Sequence, residues 1–488
     1  MKTLTSTGLE TLTCYKPRNF NLSDIPAPVV YKRSKQVYVL DEKFNQRHEH
    51  KYLFLLSNII FKQIRTKKKF EAAVTLDSII LKKLYGDHYY KTIIDCLIKA
   101  RYIERVGNHI KGYKSTSYKI TAALIENGFE IVDITNRALC YKISKFSTEQ
   151  LENILDQDNN AHLFYTFTNV GFLEEQAIAY VMDKYKNSII QRDCRLANIH
   201  AFCAVKDAST KTNLASGIKK LNFPFARCRA GRIHSPSSQL PKDLLKFIDG
   251  IGFELDAACS QLNIGHDLML KLVIELHESM NRKKVHHIGR KDSLSNTTTL
   301  NEPKTNNFRN LEEGNSIKER SSSYVVHFSN PLNVSELLKI DVQWRNAITN
   351  GTAYEYLMSA FKYKGNRDKF KEDFFKNIFY NVYRKPLNKM EQQFKLLCPN
   401  EFNRIRYIKS ILGNSELAVL ITRHESRFWI AAINRIMKER FSDVLYLNRH
   451  DAILLPKDKV EQIHLVIESE YHKYLSGRKA VIRIKSIS

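Results

Sequence analysis

Apolar positions recur at helical spacing along most of this chain and alternate at strand spacing in a few short runs. Residues 48–65 follow the helical period, and the basic run Arg65, Lys67, Lys68, Lys69 comes after them. Ile79, Ile80 and Leu84 form one helical face, Gly86 and Asp87 mark a turn, and Ile93, Ile94, Leu97 and Ile98 form a second stripe. Tyr102–Ile103 and Tyr118–Ile120 read as two strands joined by a loop with Gly107 and Gly112. Residues 145–200 read as mainly helical, with a long amphipathic segment from Leu163 to Tyr185. Further on, Phe253 and Leu255 alternate with Glu254 and Asp256, as in a half-buried strand. Val444, Leu445 and Leu447 lead to His450–Asp451, and Ile453, Leu454 and Leu455 follow, which predicts a hairpin with an acid at its tip. The chain ends on an alternating strand, Val481–Lys485. Residues 1–45 carry proline and little periodicity and predict an extended arm. Residues 289–323 are too polar to bury a core and read as a disordered loop. No internal repeat is visible.

These elements predict an α+β fold. Two helices, a tight turn and a basic hairpin make a winged helix-turn-helix pattern over residues 46–140. It resembles the small DNA-binding domains of phage and plasmid replication proteins. Lys111, Lys114 and Lys119 on the wing are the expected DNA contacts, with a packing module as the alternative. A helical region at 141–225 separates this domain from the C-terminal half, 226–488.

Composition adds the partner. The 488 residues hold 77 Lys and Arg against 51 Asp and Glu, a net charge of +26. Such a chain is drawn to a polyanion, and phosphate backbones are the commonest one. No stretch approaches the ~20 apolar residues that cross a bilayer, so no membrane partner is expected. The N-terminus lacks a basic-then-apolar signal pattern. The eight cysteines stand singly, without a C-x-x-C pair, which predicts reduced thiols in a cytoplasm and neither a zinc site nor a disulfide framework.

Four segments carry candidate chemistry. The first is Gly231–Pro241, GRIHSPSSQLP, which carries Arg232, with an ordinary loop and an exposed arginine as the alternative. The second is Gly252–Ile264, GFELDAACSQLNI, where a strand delivers Asp256 to its end. In the third, Arg367–Tyr383, four-residue steps put Arg367, Lys371 and Phe375 on one helical face, a pair of cations with aromatic rings. The fourth is Asp443–Pro456, DVLYLNRHDAILLP, preceded by a long helix that carries Glu425 and Arg427.

In this order the four segments resemble the palm motifs of family A DNA polymerases and of the single-subunit RNA polymerases, over residues ~225–485. The match is degenerate: Phe379 stands where tyrosine is usual, and Tyr380 where glycine is usual. The resemblance implies a right-hand palm and fingers at 226–488, with 141–225 as a thumb-like region. It implies two Mg²⁺ ions (Mn²⁺ as a substitute) held by Asp256, Asp451 and the Ala257 carbonyl. Arg232, Gln261, Arg367, Lys371 and Phe379 become nucleotide-binding residues, and His450 a primer or template contact. Gln261 holds the place, fifth after the motif A aspartate, where family A enzymes keep a glutamate against the ribose 2′ position. The implied activity is DNA synthesis from dNTPs on a primer–template, for a phage or mobile element. No upstream strand carries the paired carboxylates of a proofreading exonuclease. A single-subunit RNA polymerase or primase using NTPs is the first alternative. A non-catalytic DNA-binding replication initiator is the second.

Overall fold

The computed structural model describes residues 12–32, 36–64, 72–86, 89–107, 116–143, 145, 160–210, 226–228, 231–291, 334–381, 386–413 and 416–487. Helices and strands are mixed, as an α+β chain requires. The chain divides into two compact units. One comprises residues 1–256, 426–469 and 482–488; the other comprises 257–425 and 470–481. Residues 1–225 fall in the first unit, and the 226–488 half contributes to both.

The first unit opens with strand β1 (Leu12–Pro17), a hairpin of β2 (Val29–Lys32) and β3 (Val37–Leu40), and helix α1 (Phe44–Ile64). The extended-arm reading fails for Leu12–Pro17. It pairs antiparallel along its whole length with β7 (Phe129–Ile134), from Leu12 opposite Ile134 to Pro17 opposite Phe129. Leu12, Cys14 and Tyr15 are buried in the same core as α1 and the helices that follow. Leu12, Cys14, Tyr15 and Pro17 are all buried, so the strand has no strict alternation to be read from the sequence. In α1 the buried run Tyr52–Ser57 covers every side of the helix, the mark of a central core helix.

Next come β4 (Val74–Thr75), α2 (Ser78–Tyr85), α3 (Tyr89–Lys99), β5 (Ile103–Val106) and β6 (Ser117–Ile120), with strand order β4-β6-β5. Asp77 caps α2 by accepting from the Ile79 and Ile80 amides. Gly86 ends it at φ 92°, a left-handed conformation that suits glycine. The buried face of α2 is Leu81, Leu84 and Tyr85, while Ile79 is exposed, so the predicted stripe is rotated.

The expected helix from Leu163 to Tyr185 is interrupted. Helices Asn160–Asn169 and Glu174–Lys184 flank strand β8 (Gly171–Phe172), which pairs with β11 (Ile248–Asp249). At Gly171 a Cβ would lie 2.6 Å from that of Asp249, so the glycine permits the approach. Helix Ile189–Thr210 follows and sends Cys194 and Ala197 into the N-terminal core. Its Asp193 is buried, accepts from the Phe129 amide at 3.0 Å and pairs with Arg18 at 2.6 Å. The described part of the thumb-like segment thus shares a unit with the first 140 residues.

This unit also holds β9 (Ala226–Arg227) paired with β10 (Ile233–His234), and a four-stranded sheet. The sheet contains β12 (Phe253–Ala257), β13 (Leu447–Arg449), β14 (Ala452–Leu455) and β15 (Ile482–Ser486), in the order β13-β14-β12-β15.

The second unit is helical. Its longest helix, Ser260–Lys291, covers the first three residues of the predicted disordered loop; the remainder of 289–323 lies outside the described residues. Its core joins Trp344, Phe374 and Phe394, with ring centroids 5.6 Å (Trp344–Phe394) and 5.3 Å (Phe374–Phe394) apart. A buried polar triad crosses this core. Glu401 pairs with Arg404 and lies 3.2 Å from His266 Nδ1, while Arg404 donates to the carbonyls of Leu337 (2.9 Å) and Lys339 (2.7 Å).

Candidate active site

β12 and β14 run antiparallel, with Leu255 opposite Ile453 and Asp256 opposite Ala452. β13 and β14 are joined by the two-residue turn His450–Asp451, since Arg449 pairs with Ala452. His450 takes φ 60°, the left-handed conformation that a tight hairpin asks of its first turn residue. The register therefore brings two acids 195 residues apart in sequence to one end of the sheet. Along β12, Leu255 and Ala257 face the core, so Glu254 and Asp256 share the other face.

Cations meet those acids. Lys485 on β15 donates to Asp256 and lies 3.6 Å from Glu254. Arg449 lies 3.5 Å from the other oxygen of Glu254 and donates to the Leu240 carbonyl at 3.3 Å. Burial raises the Asp256 carboxyl above its ordinary value; Asp451 and Glu254 push the same way, and the Lys485 contact opposes them. Burial also lowers the Arg449 guanidinium, against the attraction of Glu254 and Asp451.

The Gly231–Pro241 segment packs on this hairpin. Gly231 turns at φ 80°, and Ser235 caps the short helix Pro236–Gln239 in a reciprocal box with Ser238. Ser237 Oγ donates to the Asn448 carbonyl at 3.4 Å, and the His234 ring lies edge-on to His450 at 5.1 Å. Burial, with Arg232 and His234 nearby, drives the His450 imidazole down to about 3, so the ring is neutral at pH 7. Helix Glu416–Ser426 continues through the π-helical turn Arg427–Ala432 into helix Ile433–Arg440. Asn448 donates to the Trp429 carbonyl at 2.7 Å and Tyr446 to Asn434 at 2.8 Å, which fixes the hairpin on this helix. Arg232, Asp256, His450 and Asp451 thus belong to one neighbourhood within the first unit.

The remaining sites divide differently. Ala257 follows Asp256 as the buried last residue of β12. Within the second unit, Arg367 and Lys371 do share a face: both stand over the Tyr354 ring, at 5.0 and 5.8 Å. Arg367 is also paired with Glu355 at 2.6 Å. Phe379 is 3% exposed and stacks on Phe375 at 5.1 Å, inside the aromatic core. A ring so placed offers no surface to a nucleotide base, which removes Phe379 from the binding set; the exposed ring at that helix end is Tyr380. Gln261 donates to Glu425 at 3.1 Å, so its amide ties two helices of its unit together. Lys119 on β6 pairs with Glu104 at 3.0 Å, and Lys111 and Lys114 lie outside the described residues.

Comparison with protein-family models, with curated proteins and with solved structures returns no match to this chain.

The site includes residues the sequence reading did not single out as site residues: Lys485, Arg449, Glu254 and His234. Glu254 was findable, because period 2 puts it on the face of Asp256. Lys485 was not, because the pairing of β12 with β15 joins residues more than 200 positions apart. Among the described residues, no group of three or more His, Cys, Asp and Glu side chains forms a ready metal cage. All eight cysteines are free thiols. No described helix is long and apolar enough to cross a membrane.

Proposed function

We propose that this chain is a template-directed DNA polymerase that adds dNTPs to a primer with the help of two Mg²⁺ ions. The observation that carries the reading is the register of β12 against β14, which sets Asp256 beside the hairpin tip that bears Asp451. The Asp256 carboxyl is raised first by its burial, and Asp451 is near enough to push it the same way. One of this pair, Asp256, already holds a cation, Lys485, and carboxylates supply the hard oxygen donors that suit Mg²⁺. Asp256, Asp451 and the Ala257 carbonyl are the residues that would hold it. Bound Mg²⁺ supplies the charge that activates a 3′-hydroxyl and steadies a leaving pyrophosphate.

The chain's own groups supply the rest. His450, neutral and packed on His234, offers a nitrogen without adding charge next to Asp451. Arg232 adds a fixed cation to the same neighbourhood. Arg367 and Lys371 present two cations from one helical face, the spacing that suits a triphosphate. The order helix, strand, two helices, hairpin in residues 44–120, with sheet order β4-β6-β5, supports a winged helix for duplex DNA.

One observation favours the NTP-using alternative. Gln261 is engaged with Glu425, so its bulk is not free to crowd a ribose 2′ position. Primer extension on one template, with dNTPs and NTPs supplied separately, tests both readings. Extension by wild type that is lost in Asp256→Asn and Asp451→Asn supports the polymerase; the favoured nucleotide chooses between the two forms. No extension with either set, alongside salt-sensitive DNA binding, leaves the non-catalytic initiator.

A further inference from the structure

We infer that Lys485 is the site's resident counter-ion and that it sets how tightly the site takes a divalent cation. The inference rests on the metal reading proposed above. Glu254 and Asp256 share one face of β12, Asp451 at the hairpin tip bears electrostatically on Asp256, and two cations, Arg449 and Lys485, pair with the β12 acids. Arg449 is committed to Glu254 and to the Leu240 carbonyl, and its side chain is 16% exposed. Lys485 is the cation on Asp256 itself. Its ammonium rests on Oδ2, with Glu254 Oε1 at 3.6 Å, and its side chain is 44% exposed on an edge strand.

A divalent ion held by Asp256 and Asp451 would share a carboxylate with that ammonium. Cations on one carboxylate repel, and each weakens the other's hold. Lys485 is the one able to yield. Its stem is long, it ends near solvent, and water can take up its charge at little cost. Asp256 and Asp451 are fixed by strand register and by a tight turn, and Arg449 is enclosed. Entry of a metal would therefore require the Lys485 ammonium to leave Asp256. The lysine offsets part of the negative charge of the metal-free site and lowers its metal affinity.

The test measures Mn²⁺ binding to the whole chain by the loss of the free-ion spectroscopic signal, at fixed pH and ionic strength and without DNA or nucleotide. Lys485→Gln should bind about fivefold more tightly than wild type, the factor expected when one partly exposed ion pair no longer has to be broken. Lys485→Arg keeps the charge and adds donors, so it should bind no more tightly than wild type. It also separates the charge effect from any loss of folding in the glutamine variant. Equal or weaker binding by Lys485→Gln, with saturable binding that Asp256→Asn removes, overturns the role of Lys485 and leaves the metal reading standing. Tighter binding by Lys485→Arg overturns it too. Absence of a saturable site in wild type and in both Lys485 variants overturns the metal reading and this inference together.

Discussion

Asp256→Asn should destroy nucleotide addition and at the same time make the metal-free protein more stable. The side chain is 23% exposed, and its charge faces Asp451 and Glu254 with one lysine in compensation. Its carboxyl value lies above the ordinary 3.8, so in the folded chain the ionised form is the costly one. For a raised carboxylate the native state holds the proton longer than the unfolded state does. Stability then falls as pH rises from about 3.8 through the folded value, and the cost is fully present at pH 7. The amide removes that cost. It also gives up the charge-assisted contact to Lys485, but Lys485 keeps Glu254 at 3.6 Å and is not orphaned. The net gain should be on the order of 1 kcal/mol, the size of other relieved surface repulsions. That corresponds to a rise of about 1.5 °C in the melting of a unit of this size. Thermal unfolding in EDTA at pH 7 and again near pH 4 reads it, beside primer extension in Mg²⁺. The difference should shrink toward pH 4 as wild-type Asp256 takes up its proton. Extension should drop by about a thousandfold or more, since several kcal/mol of transition-state stabilisation depend on a metal ligand. A variant that melts below wild type at pH 7 without divalent ions would refute the charge argument. A variant that extends primers at near-wild-type rate would refute the catalytic assignment.

Other consequences follow from the same structure. Arg367→Ala and Lys371→Ala should each raise the apparent KM for nucleotide and lower kcat, at roughly 1.5–3 kcal/mol per lost phosphate contact; an unchanged KM in steady-state extension removes that residue from the site. Glu401→Gln should cost about 3–5 kcal/mol in denaturant unfolding, because it leaves the wholly buried Arg404 without its carboxylate. Burial works against the Glu401 charge, but His266 and Arg404 hold its carboxyl below the ordinary 4.5, so this contribution is present above that value and is lost as pH falls through the lower folded one. Gly128→Ala should cost about 3 kcal/mol or more by overpacking plus left-handed strain, since the new methyl would run into Asp193 Oδ2 and the residue sits at φ 74°; soluble, fully folded Gly128→Ala with wild-type melting would contradict the Arg18–Asp193 clamp.

Local pattern made the elements legible wherever one face of an element was buried and the other was wet. Phe253–Ala257 and the closing strand at 482–486 stand within a residue or two of where alternation predicts them; the hairpin strand begins at Leu447, three residues after Val444, and the helix from Arg367 turns π-helical after Phe374. Elements whose partner is remote were hidden. Leu12–Pro17 reads as an arm until Phe129–Ile134 is beside it, and Gly171–Phe172 reads as helix until Ile248–Asp249 pairs with it. Phe379 shows the limit at a single side chain. Spacing on a helix tells which residues share a face. It does not tell which face meets the core, and here the rings of Phe374, Phe375 and Phe379 pack together.

The same reasoning explains why the acids were easier to find than the groups that govern them. A strand end and a hairpin tip leave a local trace, because a carboxylate there breaks an apolar run. Its counter-ion leaves none. Lys485 is one of 77 basic residues and sits in an ordinary alternating strand. Only the sheet order assigns it to Asp256. In a chain of net charge +26, basic residues are too many for composition to single any out, and a buried or half-buried carboxylate is the better guide. Each such acid needs a partner, and following Asp256, Glu254 and Asp451 to theirs leads to Lys485 and Arg449. Applied in the second unit, the same step leads from Glu401 to His266 and Arg404, which are enclosed on all sides and hold a core together. The difference between the two clusters is access. Asp256 and Lys485 keep part of their surface in solvent, and that opening is what a metal ion or a substrate phosphate requires.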